Sequence, residues 1–183
     1  MVQDWGGPIG FGLAGRRPEL VRRFIIENTF APALRRRATR TGVWRAHGWT
    51  DGSSPDLDLQ LRPPLLFLAG LREAAPPEVL AMHLAPWRER TRRVASVVGP
   101  RQLVAASDYL RVVEAGLSHL SDRPALIVWG RRDFAFGEAE AARFAKLFPR
   151  KPLIFYDDAS HFLQKDVGER IVAAFEEFTR RVH

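Results

Sequence analysis

The sequence predicts an α/β fold, a mostly parallel sheet flanked by helices and interrupted by a helical excursion. Three observations predict it. The run Ala125-Leu126-Ile127-Val128-Trp129 is apolar at every position, as expected of a strand covered on both faces rather than one with a solvated side. Helix-periodic stripes stand on either side of it: Ala106, Leu110, Val113, Leu117 and Leu120 before, and Ala141, Phe144, Ala145 and Phe148 after. A second short apolar segment, Leu153-Ile154-Phe155-Tyr156, and a final amphipathic stretch repeat the alternation, and strand–helix–strand–helix order is that of an α/β domain.

Taken in order, Asp4-Trp5-Gly6-Gly7-Pro8 reads as a sharp turn entering a helix that runs through Leu13 and Ala14. Pro8 suits the first helical turn, where its missing N–H costs little. Gly6 and Gly7 are expected where a tight turn leaves no room for a Cβ. Phe24-Ile25-Ile26, ending at Glu27-Asn28-Thr29, reads as a buried strand. The middle zone is broken by Gly52-Ser53-Ser54-Pro55, Pro63-Pro64, Pro76-Pro77 and Gly99-Pro100, the mark of an excursion over a sheet rather than a layer of it. Residues 1–32 and 102–183 are therefore assigned to the core and 33–101 to a cap. The last strand ends at Asp157-Asp158-Ala159-Ser160-His161. Asp166 and Glu169 then stand at capping-box spacing before a helix expected to bury Ile171, Phe175, Phe178 and Val182.

Composition narrows the class. With 183 residues, 46% hydrophobic and 27% charged, the chain has the mix of one globular domain rather than a disordered one. No apolar stretch approaches the roughly 20 residues of a membrane span, and the first residues lack the basic and apolar regions of a signal peptide. Cysteine is absent, which excludes disulfides, thiolate metal sites and a cysteine nucleophile and fits a cytoplasmic location. The net charge is +7, but the arginines are scattered in small runs, such as Arg35 to Arg37 and Arg88 to Arg93, rather than clustered with aromatics. Arginine-rich coding explains this better than nucleic-acid binding. The sequence calls for no cofactor or metal, and the oligomeric state is left open.

Ligands of such sheets bind at the carboxyl ends of the strands. Three polar side chains fall there: Asp4 at the opening turn, Asp133 after the Ala125 strand and His161 after the Leu153 strand. Acid, acid, histidine is the chain order nucleophile, acid, base, with aspartate where serine hydrolases carry serine. Taken alone, Asp4 reads as a helix cap, and Trp5 could be plain packing. Asp157 and Asp158 rival Asp133 but lie in the histidine's own loop, where a turn is their natural role. Of the other histidines, His47, His83 and His119 lie in loops or on polar faces, and His183 is terminal.

Four segments carry a resemblance: Val2-Gln3-Asp4-Trp5-Gly6-Gly7-Pro8-Ile9-Gly10, Ile25-Ile26-Glu27-Asn28-Thr29, Val128-Trp129-Gly130-Arg131-Arg132-Asp133-Phe134-Ala135-Phe136, and Ala159-Ser160-His161-Phe162-Leu163-Gln164-Lys165-Asp166. At these residues the chain resembles the haloalkane dehalogenases of the α/β-hydrolase superfamily. The likeness implies a partial α/β-hydrolase fold with an inserted helical cap, acting on a halogenated alkane and water. Asp4 would displace halide from an sp³ carbon and form an alkyl ester. The Trp5 indole N–H would face the departing halide, and Trp87 would either add a second halide contact or pack within the cap. His161 would activate water against the ester, with Asp133 orienting the imidazole. The Trp5 backbone N–H would serve the oxyanion of that second step. Asn28 stands where some family members carry an acidic partner for the histidine, so Asp133 takes that role.

Epoxide hydrolases share the aspartate–tryptophan–glycine opening but need two cap tyrosines, and this chain has only Tyr109 and Tyr156, neither within 33–101. Fluoroacetate dehalogenases place arginine after the nucleophile. Trp44 and Trp49 join Trp87 in the cap. The resemblance also implies several strands and a His-Gly-x-Pro-type loop ahead of the nucleophile, here the fourth residue. The expectation is therefore a fragment with about three sheet strands and an exposed apolar strand edge, folding poorly and turning over haloalkanes weakly or not at all. A catalytically dead remnant, or a partner docking by its edge strand, is the non-enzyme alternative.

Overall fold

The structure, a computed structural model, describes residues 1–30, 70–71, 75–89, 92, 105–148 and 152–182. Most of the cap assignment, with Trp44, Trp49 and His47, lies outside the described residues, as does His183.

Short apolar runs separated by helices can pair only as parallel strands, because each crossover returns the chain to the same end of the sheet. The four strands β1 (Val2–Asp4), β2 (Phe24–Thr29), β3 (Ala125–Gly130) and β4 (Leu153–Tyr156) are parallel in the order β1-β2-β3-β4. The sheet thus has four strands among the described residues, against about three expected. The difference is β1, three residues long and half-buried, which carries the turn to Asp4. The edge beyond β1 is therefore a short, half-buried strand rather than a long apolar one.

Helices α1 (Gly6–Arg16), α3 (Ser107–Leu117) and α4 (Glu138–Leu147) lie on one face and α5 (Leu163–Arg181) on the other; α2 (Pro77–Leu84) belongs to the middle zone. The strand residues divide between the two faces in the period of two that a pleat imposes. Ala125, Ile127 and Trp129 join Phe11, Leu110 and Phe144 on the first side, while Leu126 and Val128 meet Leu163 and Ile171 on the second. This two-sided burial is why the β3 sequence shows no polar alternation.

Two details of the last helix differ from expectation. The segment Leu163–Arg181 begins three residues before Asp166 but leaves helical geometry at Val167 (φ −140°, ψ 32°), and Asp166, just ahead of this kink, accepts the Ser160 N–H at 2.7 Å. Ser160 lies past the end of β4, where the sheet offers its N–H no partner. The buried stripe follows Leu163, Val167, Ile171 and Phe178; Phe175 falls off this face and is 38% exposed, and Val182 is half-buried.

Candidate active site

The opening turn is built by a change of register. Gln3 lies opposite Glu27 but Asp4 lies opposite Thr29, so Asn28 is an extra residue on β2. Among the described residues, Asp4 and Asn28 are the two non-glycine residues with positive φ, 47° and 25°, a conformation that costs on the order of 1–2 kcal/mol each. Polar contacts hold both in place. The Thr29 hydroxyl donates to the Asp4 carbonyl at 2.5 Å. The Asn28 amide donates to the carbonyls of Ser160 (2.8 Å) and His161 (3.4 Å), and its oxygen accepts the Gly130 N–H at 2.9 Å. Asn28 thus ties the ends of β2 and β3 to the histidine loop through main-chain groups, not through the imidazole.

Gly7 is where the turn has no room. A Cβ there would lie 1.9 Å from Thr29 Oγ1 and 2.9 Å from the Phe30 carbonyl oxygen. Gly6 corrects the expectation for the pair, since a Cβ on it would meet nothing within 4 Å. The first helical turn points Gly7 at β2 and Gly6 away from it.

Asp133 lies in the turn after β3 with its side chain fully buried. Its Oδ1 accepts the N–H groups of Ala135 (2.7 Å) and Phe136 (3.2 Å), and its Oδ2 lies 3.0 Å from His161 Nδ1. On the far side of the ring, Nε2 lies 3.9 Å from Asp4 Oδ2, within ion-pair range but beyond a hydrogen bond. The histidine side chain is 6% exposed and that of Asp4 40%, so the nucleophile candidate is half-exposed while the base is walled in. Phe134, Phe136 and Phe162 surround the imidazole, with ring centroids 4.9–5.8 Å away. Burial by itself would lower the His161 pKa. The hydrogen bond to Asp133 and the facing Asp4 carboxylate outweigh it and raise the value to about 9.

The structure therefore brings Asp4, Asp133 and His161 into one line. Trp5 begins α1 beside Asp4, half-buried, with its ring edge-on to Phe30 at 5.1 Å. Trp87 ends a short 3₁₀ turn after α2 and is half-buried. The rival acids are engaged on the surface, Asp157 with Arg131 at 2.6 Å and Asp158 with Arg170 at 2.8 Å. Both phenols are committed to main-chain carbonyls, Tyr109 to Pro8 (2.9 Å) and Tyr156 to Arg170 (3.2 Å).

Sequence reasoning missed three participants. Gln3 reaches the His161 carbonyl. Gly70 accepts the Phe162 N–H at 3.0 Å and lies so close to Phe162 and His161 that a Cβ would strike the Phe162 ring at 2.5 Å. Glu140 accepts the Gly137 N–H at 2.9 Å and so closes the loop that carries Asp133. All but the last have partners far away in sequence, and no local spacing signals them.

Among the described residues, no helix is long and apolar enough to cross a membrane. The pattern of the family described as alpha/beta hydrolase fold matches residues 1–166. Among curated relatives, Haloalkane dehalogenase 2 of Mycobacterium tuberculosis (strain ATCC 25618 / H37Rv) is 32% identical over 184 residues, covering 97% of this chain and 62% of that protein. The cis-3-alkyl-4-alkyloxetan-2-one decarboxylase of Xanthomonas campestris pv. campestris is 29% identical over 196 residues, covering 98% of this chain and 62% of that protein. The chain thus spans about 62% of the length of these relatives. In fold it is similar to the crystal structure of DBJA (TM-score 0.81, 21% identity, 98% of this chain and 67% of that one). It is similar also to haloalkane dehalogenase DbeA from Bradyrhizobium elkani USDA94 (TM-score 0.80, 23% identity, 98% and 66%). With the family pattern running through the Asp4 turn, the Asp133 turn and the His161 loop, the chain belongs to the alpha/beta hydrolase fold family.

Proposed function

We propose that this chain carries the site of a hydrolytic haloalkane dehalogenase, with Asp4 as nucleophile, His161 as base and Asp133 as the acid that orients it. One observation carries the reading: a half-exposed carboxylate at a strained strand-to-helix turn faces a buried imidazole whose other nitrogen is held by a fully buried carboxylate. In the first step Asp4 Oδ attacks the carbon bearing halogen, the carbon–halogen bond breaks and halide leaves, giving an alkyl ester on Asp4. The Trp5 indole N–H stabilises the departing halide, and Trp87 is the second candidate for that contact. In the second step His161 Nε2 takes a proton from water, and the hydroxide attacks the ester carbonyl. The alcohol leaves with the proton returned by His161, and the carboxylic acid left on Asp4 loses its proton to solvent, restoring the carboxylate.

The electrostatics support this order of events. While Asp4 is charged it helps hold His161 protonated. Ester formation removes that charge, so the imidazole loses its proton more readily when the reaction needs a base. The curated dehalogenase relatives support the substrate class, a small halogenated alkane with water as co-substrate. Commitment of both tyrosine hydroxyls to carbonyls weighs against epoxide opening.

A second reading comes from the oxetan-2-one decarboxylase relative. The same carboxylate would attack an sp³ ring carbon of a strained lactone and displace a carboxylate in place of halide.

The two are separated by trapping. The His161→Ala variant incubated with 1-bromobutane should release halide in a single turnover and retain a butyl ester on Asp4, detected by mass spectrometry and absent in Asp4→Asn. A cis-3,4-dialkyloxetan-2-one offered in parallel tests the second reading. No halide and no adduct from 1-bromobutane would remove the dehalogenase assignment.

A further inference from the structure

Gln3 stands immediately before Asp4 on β1. Its amide nitrogen lies 3.1 Å from the His161 carbonyl oxygen and 3.3 Å from Nε2 of the same residue. The first contact settles the orientation of the amide. A carbonyl oxygen only accepts, so the group facing it must be the NH₂; turning the amide over would set two oxygens against each other. The second N–H of that nitrogen is then the one nearest Nε2. It can donate there only when Nε2 carries a lone pair. Nδ1, 3.0 Å from Asp133 Oδ2, keeps the ring proton of this neutral form. Protonation of Nε2 would instead set two N–H groups against each other.

We propose that Gln3 is a positioning residue that holds His161 as the Nδ1–H tautomer, with the Nε2 lone pair directed to the Asp4 side, and so opposes protonation of the base. This deepens the hydrolytic reading and rests on it. Among the described residues, two carboxylates face the ring, Asp4 from the end of β1 and Asp133 from the turn after β3, and both favour the imidazolium. Of the nearby acids, Glu27 on β2 is engaged by Gln164, and Asp166 on α5 by the Ser160 N–H. Gln3, a neutral donor, acts in the opposite sense to the two facing carboxylates. Its influence is greatest in the ester intermediate, when Asp4 is neutral and Asp133 alone remains to draw a proton onto the ring. The β1 backbone that presents Asp4 thereby also presents the group that disfavours protonation of its partner.

The test reads the imidazole and needs no turnover. His161 is titrated by ¹H–¹⁵N NMR in the full chain and in its Gln3→Leu and Gln3→Met variants. Removing the donor should raise the His161 pKa by about one unit in both. If Gln3 merely packs β1 against the histidine loop, either substitution loosens the loop and admits water. The pKa then falls towards the ordinary 6.5. An unchanged or lowered pKa in the folded variants would overturn the proposal. Gln3→Met keeps the length of the original side chain without its donor and decides the matter if Gln3→Leu does not fold. Because no substrate is present, a chain inactive towards haloalkanes still gives this result.

Discussion

Asp133 divides its carboxylate between the main chain and His161. Oδ1 accepts the N–H groups of Ala135 and Phe136 and lies 3.2 Å from His161 Nδ1, while Oδ2 makes the nearer contact to the imidazole at 3.0 Å. The acid is thus fixed before the histidine arrives, in a loop closed further by the Glu140 carboxylate on the Gly137 N–H. An amide in this place would turn an NH₂ either on the two main-chain donors or on Nδ1–H, so it cannot serve both.

Asp133→Asn should therefore separate the two chemical steps. Alkylation of Asp4 needs no base and should persist, while ester hydrolysis should slow by ~10²–10⁴-fold, the usual worth of positioned acid–base catalysis. Accumulation of alkylated Asp4 during turnover, read by mass spectrometry, checks this; equal loss of both steps would contradict it.

The His161 pKa carries a stability signature. It stands at about 9 in the folded chain against an ordinary 6.5. Between these values the native state binds the proton that the unfolded state releases. The contribution is fully present below about pH 6.5 and is lost as pH rises through 9. Urea midpoints measured from pH 6 to 10 should fall across this window, and the fall should shrink in Asp4→Asn, which lacks one of the two facing charges.

Glu27 gives a signal of the same sign in a lower window, from a different cause. Burial is the main cause of its raised pKa, about 7, outweighing the hydrogen bond from Gln164, and Oε1 has no hydrogen-bond partner among the described residues. The unfolded chain ionises this group near 4.5 and the native chain near 7, so stability declines between those values and levels off above. Glu27→Gln keeps the Gln164 contact without the charge. It should stabilise the protein by about 1–3 kcal/mol above pH 7 and leave it unchanged near pH 4, measured by urea denaturation.

The opening turn offers a matched pair. Gly7→Ala would drive a methyl into Thr29 Oγ1, the atom that bonds the Asp4 carbonyl, and should cost about 1–3 kcal/mol or more together with alkylation of Asp4. Gly6→Ala meets open space and should leave the urea midpoint within about 0.5 kcal/mol of the original. Equal effects at the two positions would mean that the turn is not built as described.

The sequence by itself determined the α/β class and the places of Asp4, Asp133 and His161, because both are written locally. An unalternating run such as Ala125-Leu126-Ile127-Val128-Trp129 is buried on two faces wherever it lies, and an acid or histidine just past such a run falls at the carboxyl end of a parallel sheet. The tertiary structure alone decided what holds those side chains. Gln3 and His161 are 158 residues apart and Asn28 and Ser160 132 apart, and a hydrogen bond across such a span leaves no mark on local periodicity. The register shift at Asn28, the turn of Asp166 back to Ser160 and the exposure of Phe175 were decided in the same way. In each case the neighbour that fixes the residue comes from another strand or from the far side of a loop, and one-dimensional pattern carries no information about which neighbour that will be.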